Sequence, residues 1–266
     1  MNGENMSNGQ IALACQKLTK AFGGLEAVKD VDLRVTHGER RAIIGPNGAG
    51  KTTIFNCLSR FYNLDSGAFY LRDQDISKIN PSAVADKGIA RTFQNIELFK
   101  NMSVLDNILL GRHRKRRANL LKEIFYTRAV KEQEMRSHLR AEEIIDFLEL
   151  QQYRDQVIAN LPYGAQKTVE IGRALAMEPE ILLLDEPSSG MTMEETEDLS
   201  FWITDIREAF GITIIIVEHN MGLVTSLSDR VLALSFGEPI TIGTPAAVMS
   251  HPEVMKAYLG DEDAFT

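Results

Sequence analysis

Two kinds of hydrophobic pattern divide the chain. Short runs with strand character recur at Ile11–Gln16, Val31–Val35, Arg41–Ile44, Ala68–Leu71, Ile89–Thr92, Ile181–Leu184, Thr213–Val217, Val231–Ser235 and Pro239–Ile242, and they predict strands. Ile181–Leu184 is apolar at every position, and Thr213–Val217 is apolar after its first residue. Strands of that kind are covered on both faces, as in a parallel sheet between helices. Stretches with helical character separate them: Lys51–Tyr62, Leu120–Leu148, Gln166–Met177, Thr192–Phe210 and His219–Leu227. The fourth opens on Thr192 with Glu195 three residues later, a capping box, and carries further acids in its first turn. From about Asn95 to Leu161 there is no strand pattern and much polar, helix-forming sequence. That stretch reads as a helical subdomain inserted into an α/β core.

Composition narrows the function classes. Of 266 residues, 44 % are hydrophobic and 25 % charged, enough apolar material for a sizeable core. Lys and Arg number 29 against 37 Asp and Glu, a net charge of −8 that argues against a protein coating DNA or RNA. Two cysteines, Cys15 and Cys57, cannot form a disulfide framework, and a reducing compartment fits them better. Apolar runs such as Ile181–Leu184 fall far short of the roughly 20 residues that span a bilayer. The opening MNGENMSNGQ has no basic or apolar leader region, so residues 1–10 read as a frayed tail rather than a signal peptide.

The strongest chemical signal is the segment from Gly45 to Thr53, which follows a predicted strand and opens a predicted helix. It fits G-x-x-x-x-G-K-[ST] with Gly45, Gly50, Lys51 and Thr52 in place. Gly48 and Gly50 let the backbone curl so that successive N–H groups form an anion nest, and the helix start adds its positive dipole end. Gly45, Asn47, Gly48, Ala49, Gly50, Lys51, Thr52 and Thr53 are therefore the expected phosphate cradle. Lys51 would reach the β- and γ-phosphates and the Thr52 hydroxyl would ligate Mg²⁺. Farther on, four apolar residues end in Asp185-Glu186. A carboxylate at the C-terminal edge of a buried strand suits the hydration shell of Mg²⁺, and Glu186 could polarise an attacking water as general base.

With these two sites in place the chain resembles an ABC-type ATPase, the nucleotide-binding subunit of ABC transporters, from about Ile11 to Gly260. The resemblance implies an α/β P-loop NTPase with a mostly parallel RecA-like core sheet, an antiparallel β subdomain and an inserted helical subdomain. It implies residues 11–94 as the first part of the nucleotide-binding core, 95–165 as the helical subdomain with the signature, and 166–266 as the second part with a C-terminal segment. It also implies roles that spacing alone would not flag. Gln94, in Arg91-Thr92-Phe93-Gln94, is similar to the Q-loop glutamine that touches Mg²⁺ and the attacking water. His219 is similar to the switch histidine on the γ-phosphate. Phe22 is similar to the aromatic that stacks on adenine, and Thr192 stands where the family has the D-loop aspartate. The family signature Leu-Ser-Gly-Gly-Gln reads here Leu161-Pro162-Tyr163-Gly164-Ala165-Gln166, which leaves Gly164 and the start of a helix to face a partner's nucleotide. Pro162 offers neither hydroxyl nor N–H, so ATP hydrolysis is expected to be reduced or partner-dependent.

Tyr163-Gly164, Val217-Glu218-His219-Asn220-Met221 and the ending Pro252–Gly260 are similar to LivG-like subunits of branched-chain amino acid importers. The resemblance implies ATP and Mg²⁺ as ligands and a second ATPase subunit, identical or related. It further implies two membrane permease subunits, a solute-binding protein indirectly, and a place on the cytoplasmic face of the inner membrane. Arg112-His-Arg-Lys-Arg-Arg117 admits three readings: a solvated segment, contact with anionic headgroups or permease, and nucleic acid, the last disfavoured by the net charge. Alternatives to the importer are a lipid or glycolipid exporter ATPase and a soluble non-transport ABC protein. No Asn-Lys-x-Asp motif supports a GTPase.

Overall fold

The computed structural model describes residues 11–113 and 128–258. The expected tail, residues 1–10, lies outside them, as do the basic run beyond His113 and the first part of the expected Leu120–Leu148 helix.

Two sheets organise the chain. β1 (Ile11–Phe22), β2 (Leu25–Thr36), β4 (Ser66–Leu71) and β5 (Gln74–Asp75) form an antiparallel sheet in the order β2-β1-β4-β5. β2 alternates as such a sheet requires, with Val31, Leu33 and Val35 buried between exposed Asp32 and Arg34. The larger sheet has the order β10-β9-β3-β8-β7-β6. Its strands are β3 (Arg40–Ile44), β6 (Ile89–Arg91), β7 (Ile181–Asp185), β8 (Thr213–Val217), β9 (Arg230–Ser235) and β10 (Glu238–Gly243). All pairs are parallel except the edge pair β9–β10.

β7 and β8 are buried at every position, and the period of two sends alternate residues to opposite layers. Ile181, Leu183, Ile215 and Val217 join the layer under the antiparallel sheet, where α1 (Lys51–Leu58) contributes Ile54, Phe55 and Leu58. Leu182, Leu184, Ile214 and Ile216 face the other layer. That layer holds α3 (Val104–Arg112), α4 (Arg128–Phe147), α5 (Tyr163–Leu175) and α6 (Met193–Phe210). A third apolar cluster joins β9 to α7 (Met221–Leu227), α8 (Pro245–Met249) and α9 (Pro252–Tyr258). α2 (Pro81–Asp86) is capped by the Asn80 side chain on Ser82 N–H. Among the described residues no helix is long and apolar enough to cross a membrane.

Every expected strand is present, several of them longer than the apolar pattern, and the two-residue β5 carries no pattern to read. Helix ends moved for identifiable reasons. The first helix stops at Leu58 rather than Tyr62, because Arg60 takes φ 59° and the chain turns back so that Tyr62 N–H reaches Asn56 O at 2.9 Å. The helix expected from His219 begins at Met221, because the Asn220 side chain caps Leu223 N–H, which leaves His219 in the preceding loop. α5 starts at Tyr163, three residues before the expected Gln166. The Thr192–Glu195 capping box is formed in both directions.

α3 and α5 cross closely: a Cβ on Gly111 would overlap the Arg173 carbonyl. Arg112, the first residue of the basic run, turns inward onto Ala176 O (3.1 Å) and Glu178 (2.7 Å). It joins α3 to the end of α5, so for this residue neither a solvated nor a headgroup-facing reading holds.

Candidate ATP-binding and hydrolysis site

The strand order β3-β8-β7-β6 puts four loops side by side at the C-terminal edge of the parallel strands, the usual ligand edge of an open α/β sheet. The Gly45–Thr53 loop follows β3, Glu218-His219 follows β8, Asp185-Glu186 closes β7, and Gln94 lies just beyond β6.

The glycine loop runs from β3 into α1. Gly50 caps α1 with φ 97° and no side-chain bond, and a Cβ there would overlap the Ala27 carbonyl, so both conformation and space demand glycine. Gly48 (φ 81°) faces open space, and Asn47, Gly48 and Thr52 are exposed, while Ala49 is buried and Thr53 half-buried. Lys51 is buried along its length, and its ammonium donates to Gly45 O at 2.6 Å and Pro46 O at 3.1 Å.

Asp185 is 1 % exposed. Its Oδ2 accepts from Arg91 Nη2 at 2.7 Å, while Oδ1 is buried with no hydrogen-bond partner. Arg91 also donates from Nη1 to Asn56 Oδ1 (2.6 Å) and Ser59 Oγ (2.9 Å), which ties the end of α1 to the end of β7. Burial pushes the Asp185 carboxyl above its ordinary range, and the Arg91 guanidinium opposes that rise.

Glu186 leaves the strand in left-handed conformation at φ 47°, with its N–H on Val217 O at 2.9 Å. A non-glycine residue held there costs of order 1–3 kcal/mol and such residues cluster at functional sites. The turn aims the carboxylate at Gln94, whose Nε2 donates to Glu186 Oε2 at 2.8 Å. His219 is exposed. Phe22, at the tip of β1, is 44 % exposed. Its ring meets Tyr62 edge-on at 5.1 Å, with Lys20 Nζ at 5.2 Å from its centroid. Lys20 is fixed by Asp65 at 3.0 Å, and the Ala21 N–H and then Lys20 hold the Asp65 carboxyl below its ordinary range.

Gly164 does not join its own glycine loop. It is buried in the first turn of α5, where a Cβ would overlap the Glu195 carboxylate, and Tyr163 packs on Gly190. Pro162 caps this helix without a side-chain bond.

Sequence reasoning missed three side chains in this network. Glu218 is 0 % exposed and accepts N–H bonds from Ser188 (3.0 Å) and His219 (3.1 Å), tying the loop after β7 to the loop after β8. Its signal was the one that flagged Asp185: a carboxylate closing an apolar strand. The others, Lys167 and Glu170, grip the Gln94 loop from α5. Their only signal was charge on a helix that otherwise supplies core.

Residues 28–189 match the family described as "ABC transporter". The chain belongs to that ABC ATP-binding family. ATP is its nucleotide, and hydrolysis coupled to transport is the activity of this ABC ATPase. Residues 238–264 also match the family described as "Branched-chain amino acid ATP-binding cassette transporter". The chain is 39 % identical over 244 residues to a high-affinity branched-chain amino acid transport ATP-binding protein, BraF, of Pseudomonas aeruginosa, covering 92 % of this chain and 96 % of that one. It is 37 % identical over 252 residues to the LivG protein of the same description from Escherichia coli K12, covering 95 % and 99 %. A nucleotide-free ATP-binding cassette from an ABC transporter superposes with a TM-score of 0.82 at 31 % identity, covering 94 % of this chain and all of that one. The ADP conformation of an ATP-binding cassette of an ABC transporter gives 0.82 at 32 % identity, covering 94 % of this chain and 99 % of that one. This likeness agrees with the RecA-like parallel sheet, the antiparallel sheet and the helical layer found here.

Proposed function

We propose that this ABC ATPase energises an importer for branched-chain amino acids or a closely related small solute. The observation that carries the reading is the near full-length similarity to BraF and LivG together with the C-terminal match at residues 238–264. The exporter and non-transport alternatives have no such support.

In this reading Phe22 stacks on adenine, an aromatic face that accepts a base without hydrogen-bond readout. The amides of Gly45, Asn47, Gly48, Ala49, Gly50, Lys51, Thr52 and Thr53 cradle the phosphates, and Lys51 exchanges its loop carbonyls for phosphate oxygens. The donor set fits Mg²⁺: the unpartnered Oδ1 of Asp185, the exposed Thr52 hydroxyl and the Gln94 side chain are hard oxygen ligands. Among the described residues no three His, Cys, Asp or Glu side chains cluster as a metal cage. When bound, Mg²⁺ neutralises charge on the phosphates. Glu186 takes the proton of the attacking water, Gln94 Nε2 orients that carboxylate, and His219 orients the γ-phosphate. Positioning and electrostatics supply most of the rate.

The expected domain division gives these residues their movement: 11–94 and 166–266 hold the nucleotide, 95–165 carries the segment that changes place, and α5, which crosses the boundary at 165, moves as one body with that segment. Gly164 and the first turn of α5 face the ATP of a second cassette, identical or related, and Pro162 makes turnover dependent on that partner. Two permease subunits at the cytoplasmic face of the inner membrane receive the movement, and an external binding protein delivers the solute. A groove of about 360 Å³ between α2, α3 and α5, lined by Val84, Ala85, Phe93, Leu110, Gly111 and Met177, offers the permease an apolar seat beside the Gln94 loop.

The test is affinity purification from detergent-solubilised membranes, followed by reconstitution and ATP-driven uptake of labelled leucine. Recovery of two polytopic chains with leucine uptake supports the reading. Recovery without any membrane chain refutes the transport role.

A further inference from the structure

Helix α5 turns three charged side chains, Lys167, Glu170 and Arg173, onto the loop that carries Gln94. Lys167 donates Nζ to the Gln94 carbonyl at 2.9 Å. One oxygen of Glu170 accepts the Phe93 N–H at 3.3 Å and the Glu97 N–H at 3.5 Å. Arg173 donates to the Glu97 carbonyl and lies 4.0 Å from Glu170. Lys167 and Glu170 are 3 % and 2 % exposed. Groups that polar are retained in an interior only when they are paired and hydrogen-bonded, and here the partners are main-chain atoms on both sides of Gln94.

The placement has a consequence for the glutamine side chain. Because the hydrogen bonds from α5 go to main-chain atoms of 93, 94 and 97, the Gln94 side chain is left to reach Glu186 at 2.8 Å. The same helix begins at Tyr163-Gly164, in contact with Glu195 and Gly190. A displacement of α5 therefore carries the Gln94 main chain with it and changes the Gln94–Glu186 contact. We propose that Lys167 and Glu170 are positioning residues that fasten the Gln94 loop to α5, so that Gln94 aligns Glu186 only in one placement of that helix. This rests on the roles given above to Gln94 and Glu186.

The test uses the full chain, assembled with its partner cassette and permease subunits, with Glu170→Ala, Glu170→Gln, Gln94→Ala and the Glu170→Ala/Gln94→Ala double variant. Steady-state ATP turnover and backbone amide exchange of the 93–97 segment are measured on each. Glu170→Ala lowers kcat about tenfold or more with KM for ATP unchanged, the size expected of a misplaced group. Its 93–97 amides exchange faster. Glu170→Gln keeps a carbonyl oxygen for both N–H groups and recovers most of the turnover and the protection. In the Gln94→Ala background, Glu170→Ala lowers turnover no further. Multiplicative losses in the double variant, or normal turnover and exchange in Glu170→Ala, overturn the proposal. If Gln94→Ala slows turnover and Glu170→Ala does not, the clamp alone fails. If Glu170→Ala slows turnover and Gln94→Ala does not, the role of Gln94 fails, and the proposed route with it. Should Glu170→Ala not fold, Lys167→Met removes the bond to Gln94 O and carries the same expectations.

Discussion

Arg91→Met isolates the charge balance at the end of β7. The substitution keeps a long apolar stem between Phe55 and Phe93, whose rings lie 5.8 and 5.1 Å from the guanidinium carbon. It removes the bonds to Asp185, Asn56 and Ser59 and leaves the Asp185 carboxylate buried without its cation. Breaking one partner of a buried ion pair costs about 3–5 kcal/mol. The natural readout is urea unfolding followed by the fluorescence of Trp202, the single tryptophan, which packs against the α6 side of the core. Asp185→Asn in the Arg91→Met background removes the stranded charge, so the double variant is more stable than Arg91→Met alone.

The pH dependence has a definite sign. The folded-state pKa of Asp185 is raised by burial, with Arg91 holding the rise down. A carboxyl raised on folding favours the folded state below the unfolded value, and that contribution is lost as pH rises through the folded value. Without Arg91 the rise is larger, so the deficit of the variant against the parent is greater at pH 7.5 than at pH 5. A deficit under about 1 kcal/mol, an ordinary surface substitution, would falsify the buried-pair argument. So would a deficit that Asp185→Asn leaves unrelieved.

Gly50→Ala combines a left-handed φ with overlap against the Ala27 backbone, and is expected to cost about 2–5 kcal/mol and abolish binding of a fluorescent ATP analogue. Thr192→Ala removes the capping box of α6 and lowers stability by about 1 kcal/mol in the same urea assay, with nucleotide binding intact. Glu186→Gln lowers phosphate release by about 10²–10⁴-fold while ATP still binds, and near-normal turnover removes Glu186 from the role of base. The Cys57 thiol, pushed up to about 11 by burial, stays unlabelled by iodoacetamide at neutral pH until the chain is unfolded; rapid native labelling contradicts its buried position.

What the sequence disclosed and what it withheld divide along a physical line. β7, β8 and the glycine loop were legible because each obeys a local rule: continuous burial makes continuous apolarity, and a phosphate nest needs glycine at fixed places. β5 is two exposed residues recruited by its neighbour β4, and no local rule marks it. The stop of α1 at Leu58 depends on Arg60 accepting positive φ, which residue type argues against. Gln94, His219 and Phe22 were placed by resemblance rather than by pattern. Glu170 and Lys167 were invisible because a helix periodicity predicts a face, not which loop that face will touch.

The charges around the site are segregated, and the segregation constrains how it works. On the β3 side lie the glycine loop amides, the start of α1 and Lys51, all electropositive. On the β7 and β8 side lie Asp185, Glu186 and Glu218, with Glu170 behind them on α5. Lys167 is the buried cation whose field reaches all four: burial lowers its pKa, and Glu170, Glu218, Asp185 and Glu186 each oppose that fall. Arg91 serves Asp185 alone among the four. A triphosphate that settles on the positive side brings more negative charge toward three carboxylates. The unpartnered Asp185 Oδ1 is the one acid oxygen in that group that is buried and unspent on a hydrogen bond. Nucleotide binding without a divalent cation therefore raises the electrostatic cost of every acid on the β7 side, and binding with one lowers it. ATP affinity in this chain should fall on chelation by EDTA, and Asp185→Asn should shrink that loss, because the neutral side chain no longer repels the phosphates. Equal chelator sensitivity in both proteins would place the cation's protein ligand elsewhere than Asp185.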